Sequence, residues 1–98
     1  MYAQRLPPAE AWRRMQAGGV TVLDIRTPEE YAEGHLPGAV NLPAEQLSQA
    51  AQRLPNRPVL VYCRGGQRGP WAAGRLARMG FEAYNIGGIL AWPYALEP

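Results

Sequence analysis

The four residues 59–62 (VLVY) have no polar face. An extended chain points alternate side chains to opposite sides, so a run that is apolar at every position must be covered on both. A parallel sheet held between two layers of helices meets that condition. Other segments repeat the pattern. Residues 20–25 (VTVLDI) form a second β-branched apolar run, entered from Gly18-Gly19, and residues 83–86 (AYNI) a shorter third, closed by Gly87-Gly88. Residues 39–41 read as a minimal fourth strand and residues 2–5 as an edge strand.

Helical segments lie between these runs. Pro8–Ala17 opens on proline and stops at Gly18-Gly19. Thr27 is placed to cap a short helix over Pro28–Glu33. Residues 43–53 begin with proline and carry Leu47, Ala50, Ala51 and, just beyond, Leu54 at helical spacing. Residues 70–79 begin with Pro70 and end at Gly80, and residues 88–92 allow a single turn. Strands alternating with helices predict an α/β fold: parallel β-α-β units with right-handed crossovers and helices on both faces.

The 98 residues suffice for one domain, so residues 1–98 are expected to form a single unit. Only 18% of them are charged and 47% are hydrophobic, which favours a packed core over disorder. The net charge of +2 provides no clustered basic face, so neither nucleic acid nor a membrane surface is an expected partner. Every basic residue apart from the lone His is arginine, a planar fork suited to oxyanions. A single cysteine excludes an internal disulfide and leaves either a small buried residue or a reactive thiol. The first residues show no basic start followed by an apolar run, and no stretch approaches the ~20 apolar residues of a membrane helix. A cytoplasmic location is the resulting expectation.

The neighbours of Cys63 favour the reactive thiol. The buried strand runs directly into Cys63, a tight loop Arg64-Gly65-Gly66-Gln67-Arg68 follows, and a helix starts at Gly69-Pro70. That places the sulfur at the carboxyl end of a parallel strand, where open α/β sheets bind ligands. The helix N-terminus offers unpaired N–H groups and a partial positive charge. Gly65 and Gly66 are expected to let the backbone curl so that successive amides face one anion. Arg64 and Arg68 add fixed positive charge, so the thiolate, which is the nucleophile, is favoured. Cys63 is therefore the candidate catalytic residue, and Arg64, Gly65, Gly66, Gln67 and Arg68 the candidate substrate-binding loop.

Five stretches together resemble the rhodanese family in its single-domain form. Asp24-Ile25-Arg26 is similar to its D-x-R, Pro28-Glu29-Glu30-Tyr31 to its P-E-E-[YF], and residues 34–39 (GHLPGA) to its G-H-[IL]-P-G-A. Cys63-Arg64-Gly65-Gly66-Gln67-Arg68 resembles its C-R-S-G-x-R active loop, and residues 87–92 (GGILAW) its closing G-G-[IL]-x-x-W. The resemblance implies a doubly wound, five-stranded parallel sheet. It also implies a sulfurtransferase of the thiosulfate type, needing no metal or organic cofactor. Cys63 would take a sulfane sulfur from a small donor such as thiosulfate and pass it to a thiophilic acceptor, cyanide in vitro or a thiol in the cell. The alternative is a relay module loaded by a partner protein such as a cysteine desulfurase. Related folds that cleave phosphate esters have one more residue between Cys and Arg; the shorter ring here suits a sulfur better than a phosphoryl group.

Several neighbours carry narrower expectations. Asp24 and Arg26 are expected to pair and pin the loops near Cys63 rather than to react. His35, by its resemblance to the family's turn histidine, is expected to hold a turn. Tyr31, Trp12, Met15 and Met79 are expected in the core. Trp71 either walls the pocket, favouring a larger acceptor, or packs against the sheet, and packing is the expectation. Gly87-Gly88 is expected to let its backbone approach the active loop. Gly69 stands where the family often has Ser or Thr; it is read as an N-cap, with Pro70 as first helical residue.

Overall fold

The computed structural model describes residues 4–98 and contains a five-stranded, all-parallel sheet in the order β1-β5-β4-β2-β3. The strands are β1 (Gln4–Arg5), β2 (Thr21–Asp24), β3 (Val40–Asn41), β4 (Val59–Cys63) and β5 (Ala83–Gly88). The helices are α1 (Pro8–Ala17), α2 (Pro28–Glu33), α3 (Ala50–Arg53) and α4 (Gly69–Arg78). β4 lies at the centre and is buried at all five positions, as its unbroken apolar run requires. Residues 2 and 3 of the expected edge strand lie outside the described residues; Gln4 and Arg5 pair with Tyr84 and Asn85. No helix among the described residues is long and apolar enough to cross a membrane.

The alternation along β4 divides the core in two. Val59, Val61 and Cys63 pack with Leu47, Ala50, Leu54, Ala72, Ala73 and Leu76 on the side of α3 and α4. Leu60 and Tyr62 pack with Leu6, Ala11, Leu36 and Ile86 on the side of α1 and α2. Helices thus cover both faces, and the cysteine belongs to the α4 layer. Met15, Tyr31 and Met79 pack against these clusters as expected. Trp12 does not enter the core: it is half-buried, with its ring stacked on Tyr94 at 5.1 Å and edge-on to Trp92 at 6.1 Å.

The segment expected as one helix over residues 43–53 is instead a 3-10 helix, Ala44–Gln49, that passes into the single α-turn of α3. Its buried residues Ala44, Leu47 and Ala50 recur every three positions, and a 3-10 helix eclipses side chains at that interval. Ala51, one step off that stripe, is exposed. At α2 the Thr27 hydroxyl accepts from the Glu30 amide at 3.2 Å while the Glu30 carboxylate accepts from the Thr27 amide at 3.1 Å, a reciprocal cap.

A buried polar network fixes the carboxyl ends of the strands. Asp24 is fully buried and accepts from the Arg26 amide at 2.8 Å, from Arg26 Nη2 at 2.7 Å and from the Tyr62 hydroxyl at 2.6 Å. Arg26 Nη2 also donates to the Gly34 carbonyl at 2.6 Å, and the Leu36 amide donates to the Tyr62 hydroxyl at 3.1 Å. Asn41 Nδ2 donates to the carbonyls of Asp24 and Arg26, both at 3.0 Å. Burial, and then the carboxylate it donates to, push the Tyr62 phenol above its ordinary range, so it remains a donor. Replacing Tyr62 with Phe removes this donor and strands the Leu36 amide. A loss of about 1–3 kcal/mol is expected in urea unfolding, with the denaturant slope unchanged.

Candidate active site

Cys63 is the last residue of β4, and its pairing shifts register there: Val61 pairs with Asn85, while Cys63 pairs with Gly88. The extra residue lies on β5, which takes three steps from Asn85 to Gly88 while β4 takes two from Val61 to Cys63, so β5 carries a bulge beside the end of β4. The Gly66 amide folds back and donates to Cys63 Sγ at 3.0 Å. Gly66 has φ +86°, a conformation that L side chains rarely adopt, so this curl depends on a glycine. Gly65 does not share that requirement: its φ is not positive, and a Cβ there would meet open space. The expectation that both glycines are needed for the curl is corrected accordingly.

The loop is wedged from below by β5. A Cβ on Gly88 would lie 2.5 Å from both the Arg64 carbonyl oxygen and the Gly66 amide nitrogen, and backbone atoms cannot yield as a flexible side chain could. The Leu90 amide also donates to the Arg64 carbonyl at 3.2 Å. Gly88 therefore supplies the close approach expected of the Gly87-Gly88 pair, whereas Gly87 adopts φ +98° within β5, where the register with β4 shifts.

Gly69 has a steric reason that the sequence did not show. The Asn85 side chain, on β5, occupies the space beside it: a Cβ on Gly69 would lie 2.1 Å from Asn85 Oδ1 and 2.9 Å from its Cγ. Asn85 is buried, and its Oδ1 accepts from the Gly87 amide at 3.0 Å. A side chain from the neighbouring strand thus fills the position where the family often places a hydroxyl. Gly69 is the first helical residue and Arg68 the cap, one position earlier than expected.

The cations around Cys63 are not equivalent. Arg26 lines the chamber but is buried and neutralised by Asp24. Arg64 is largely exposed and lies 3.9 Å from Glu30, a loose surface pairing. Arg68 lines the chamber and forms no ion pair among the described residues. The chamber, about 200 Å³, is also walled by Ile25, Thr27, Glu30 and Glu45. A second opening of about 410 Å³ reaches Cys63 past Gly65, Gln67 and Leu90. Gln67 is exposed on that side.

Trp71 is a second correction. It is 47% exposed rather than packed on the sheet, with the Arg75 guanidinium 5.7 Å from its ring centroid. It lines a groove beside the chamber with Thr27, Ala44, Glu45 and Arg68. Its position two residues into α4 puts it on the helix face away from Ala72, Ala73 and Leu76, which fill the core contact. His35 holds a turn as expected: Nδ1 donates to the Tyr31 carbonyl at 3.0 Å, the ring stacks on Tyr31 at 3.9 Å, and its backbone pairs with Glu97. Glu45 was not singled out from sequence; an exposed glutamate in a helical segment carries no local signal.

The model of the rhodanese-like domain matches residues 7–94. A sulfurtransferase of Allochromatium vinosum is 40% identical over 76 residues, covering 74% of this chain and 71% of the relative. A helix-turn-helix-type transcriptional regulator of Mycobacterium tuberculosis is 48% identical over 95 residues, covering 92% of this chain but only 42% of the regulator. The crystal structure of a rhodanese-like domain protein from Staphylococcus aureus superposes with a TM-score of 0.84 at 28% identity, covering 96% of both chains. The chain belongs to the rhodanese-like family.

Gly69→Ser is expected to destabilise the protein by about 1–3 kcal/mol through its clash with Asn85. In an Asn85→Ala background the same change should cost less, giving a coupling energy above ~0.5 kcal/mol in a double-mutant cycle. Additive effects would mean that the two side-chain positions do not compete for one space.

Proposed function

We propose that this chain is a sulfurtransferase that carries sulfane sulfur as a persulfide on Cys63. The Cys63 thiolate attacks the outer sulfur of thiosulfate or a similar donor; the S–S bond of the donor breaks, and sulfite leaves with the electron pair. A thiophilic acceptor then attacks the outer sulfur of the persulfide, and the bond to Sγ breaks to restore the thiolate. This is covalent catalysis with ping-pong kinetics, and oxidation states balance without a further reagent.

The observation that carries the reading is the placement of Sγ: at the carboxyl end of β4, hydrogen-bonded by the Gly66 amide, and facing a small chamber whose unpaired cation is Arg68. An amide aimed at sulfur is placed to donate to a persulfide anion on Cys63. Arg68 suits the oxygens of the donor and the departing sulfite. The name of the Allochromatium relative agrees with this activity. A second reading, sulfur relay from a protein donor such as a cysteine desulfurase, is favoured by Leu90, which is 67% exposed at the lip of the opening to Cys63.

Incubation with thiosulfate is expected to add the mass of one sulfur atom to the protein, and cyanide to remove it as thiocyanate. Cys63→Ser should show neither event while keeping the native circular dichroism; retained transfer would sink the mechanism. Arg68→Ala is expected to lower kcat/KM for thiosulfate by about tenfold or more, as for loss of a charged hydrogen-bond donor, with stability within ~0.5 kcal/mol. Faster loading by a desulfurase than by thiosulfate would turn the choice to the relay.

A further inference from the structure

The chamber over Cys63 is small, yet it opens into a groove of about 680 Å³, with which it shares Thr27, Glu45 and Arg68. A four-oxygen-or-smaller anion has no use for a space of that size, which falls in the range of sites for organic ligands. The groove carries three kinds of recognition group: the Glu45 carboxylate, the Arg68 guanidinium, and the half-exposed Trp71 ring, steadied by Arg75. Neither Glu45 nor Arg68 forms an ion pair among the described residues, with each other or with any neighbour, so both charges are open to a ligand.

We propose that this groove is the acceptor subsite and that Glu45 is its specificity-determining residue, selecting an organic thiol that carries an ammonium group, with Arg68 receiving a carboxylate where the thiol has one and Trp71 covering the carbon skeleton. The inference rests on the transfer reading above. The ping-pong order lets Arg68 serve twice: sulfite has left before the acceptor enters. The acceptor thiolate attacks the outer sulfur of the Cys63 persulfide. The bond between that sulfur and Sγ breaks, its electron pair returns to Cys63, and the acceptor leaves as a hydropersulfide. The Glu45 carboxylate attracts the ammonium group, while the Trp71 ring, already stacked by Arg75, offers its apolar surface to the carbon skeleton.

The test uses full-length protein loaded with thiosulfate, freed of donor, and discharged in single turnovers. Four thiols are compared: cysteine (ammonium and carboxylate), cysteamine (ammonium only), mercaptopropionate (carboxylate only) and mercaptoethanol (neither). Each thiol is compared with itself across protein variants, so intrinsic thiol reactivity cancels. Glu45→Gln is expected to slow discharge to cysteine and cysteamine about fivefold and to change the other two less than about twofold. Glu45→Lys should go further and favour mercaptopropionate over cysteamine relative to the unmodified chain. Equal changes on all four thiols, or none, would overturn the subsite and leave the transfer reading standing. A protein that gains no sulfur before any thiol is added would overturn the transfer reading, and the subsite with it.

Discussion

The Asp24 carboxylate is the group on which the arrangement of the site depends. It is removed from water at the end of β2, and an ionised carboxylate in that position is tolerable only when its oxygens are filled with donors. Arg26 fills them from the same loop, and Tyr62 fills them from β4. Because Tyr62 immediately precedes Cys63, the bond that satisfies Asp24 also fixes the strand end from which the cysteine leaves the sheet. The remaining bonds of Arg26 and Tyr62, to Gly34 and Leu36, fasten the loop after α2 to the same centre. Loss of either member of the Asp24–Arg26 pair would leave a charge buried without compensation, so the two hold the network together.

A second constraint comes from β5 and is steric. Gly88 allows the backbone of residues 64–66 to rest directly on the strand, and Asn85 occupies the volume beside Gly69 at the start of α4. The loop is thus held at both ends by a neighbouring strand while its middle curls through Gly66 toward the sulfur. Electrostatics then separates arginines that look alike in sequence. Asp24 neutralises Arg26, Glu30 lies near Arg64, and Arg68 remains available at the chamber. A frame with one uncommitted cation at the chamber suits the two-step transfer proposed, in which Arg68 meets a donor anion and then an acceptor.

Much of this was legible in the residues. The run of β4 has no polar face to offer water, and that of β2 is interrupted only by Thr21 and Asp24, so their burial between helix layers follows from the residue pattern. The strand, loop and proline-led helix around Cys63 are local, and local chemistry placed them correctly. The Thr27 cap and the Asp24–Arg26 pair were likewise readable, since their partners lie two or three residues apart. Residues 43–53 suggest a regular helix in sequence but form a 3-10 segment and one α-turn, because a stripe of apolar residues three apart fits either helical period until a packing partner selects one.

The sequence by itself therefore determined the layers, the strand order's parallel sense, and the position of the one thiol at a strand's carboxyl end, because those follow from side-chain periodicity and short-range capping. Only the tertiary structure decided which glycines are obligatory, why position 69 has no side chain, that Trp71 lines a groove instead of the core, and that Glu45 lines it together with Arg68. Each of these depends on atoms brought together from distant segments. Steric exclusion and charge pairing act over a few ångströms of space, whatever the distance along the chain.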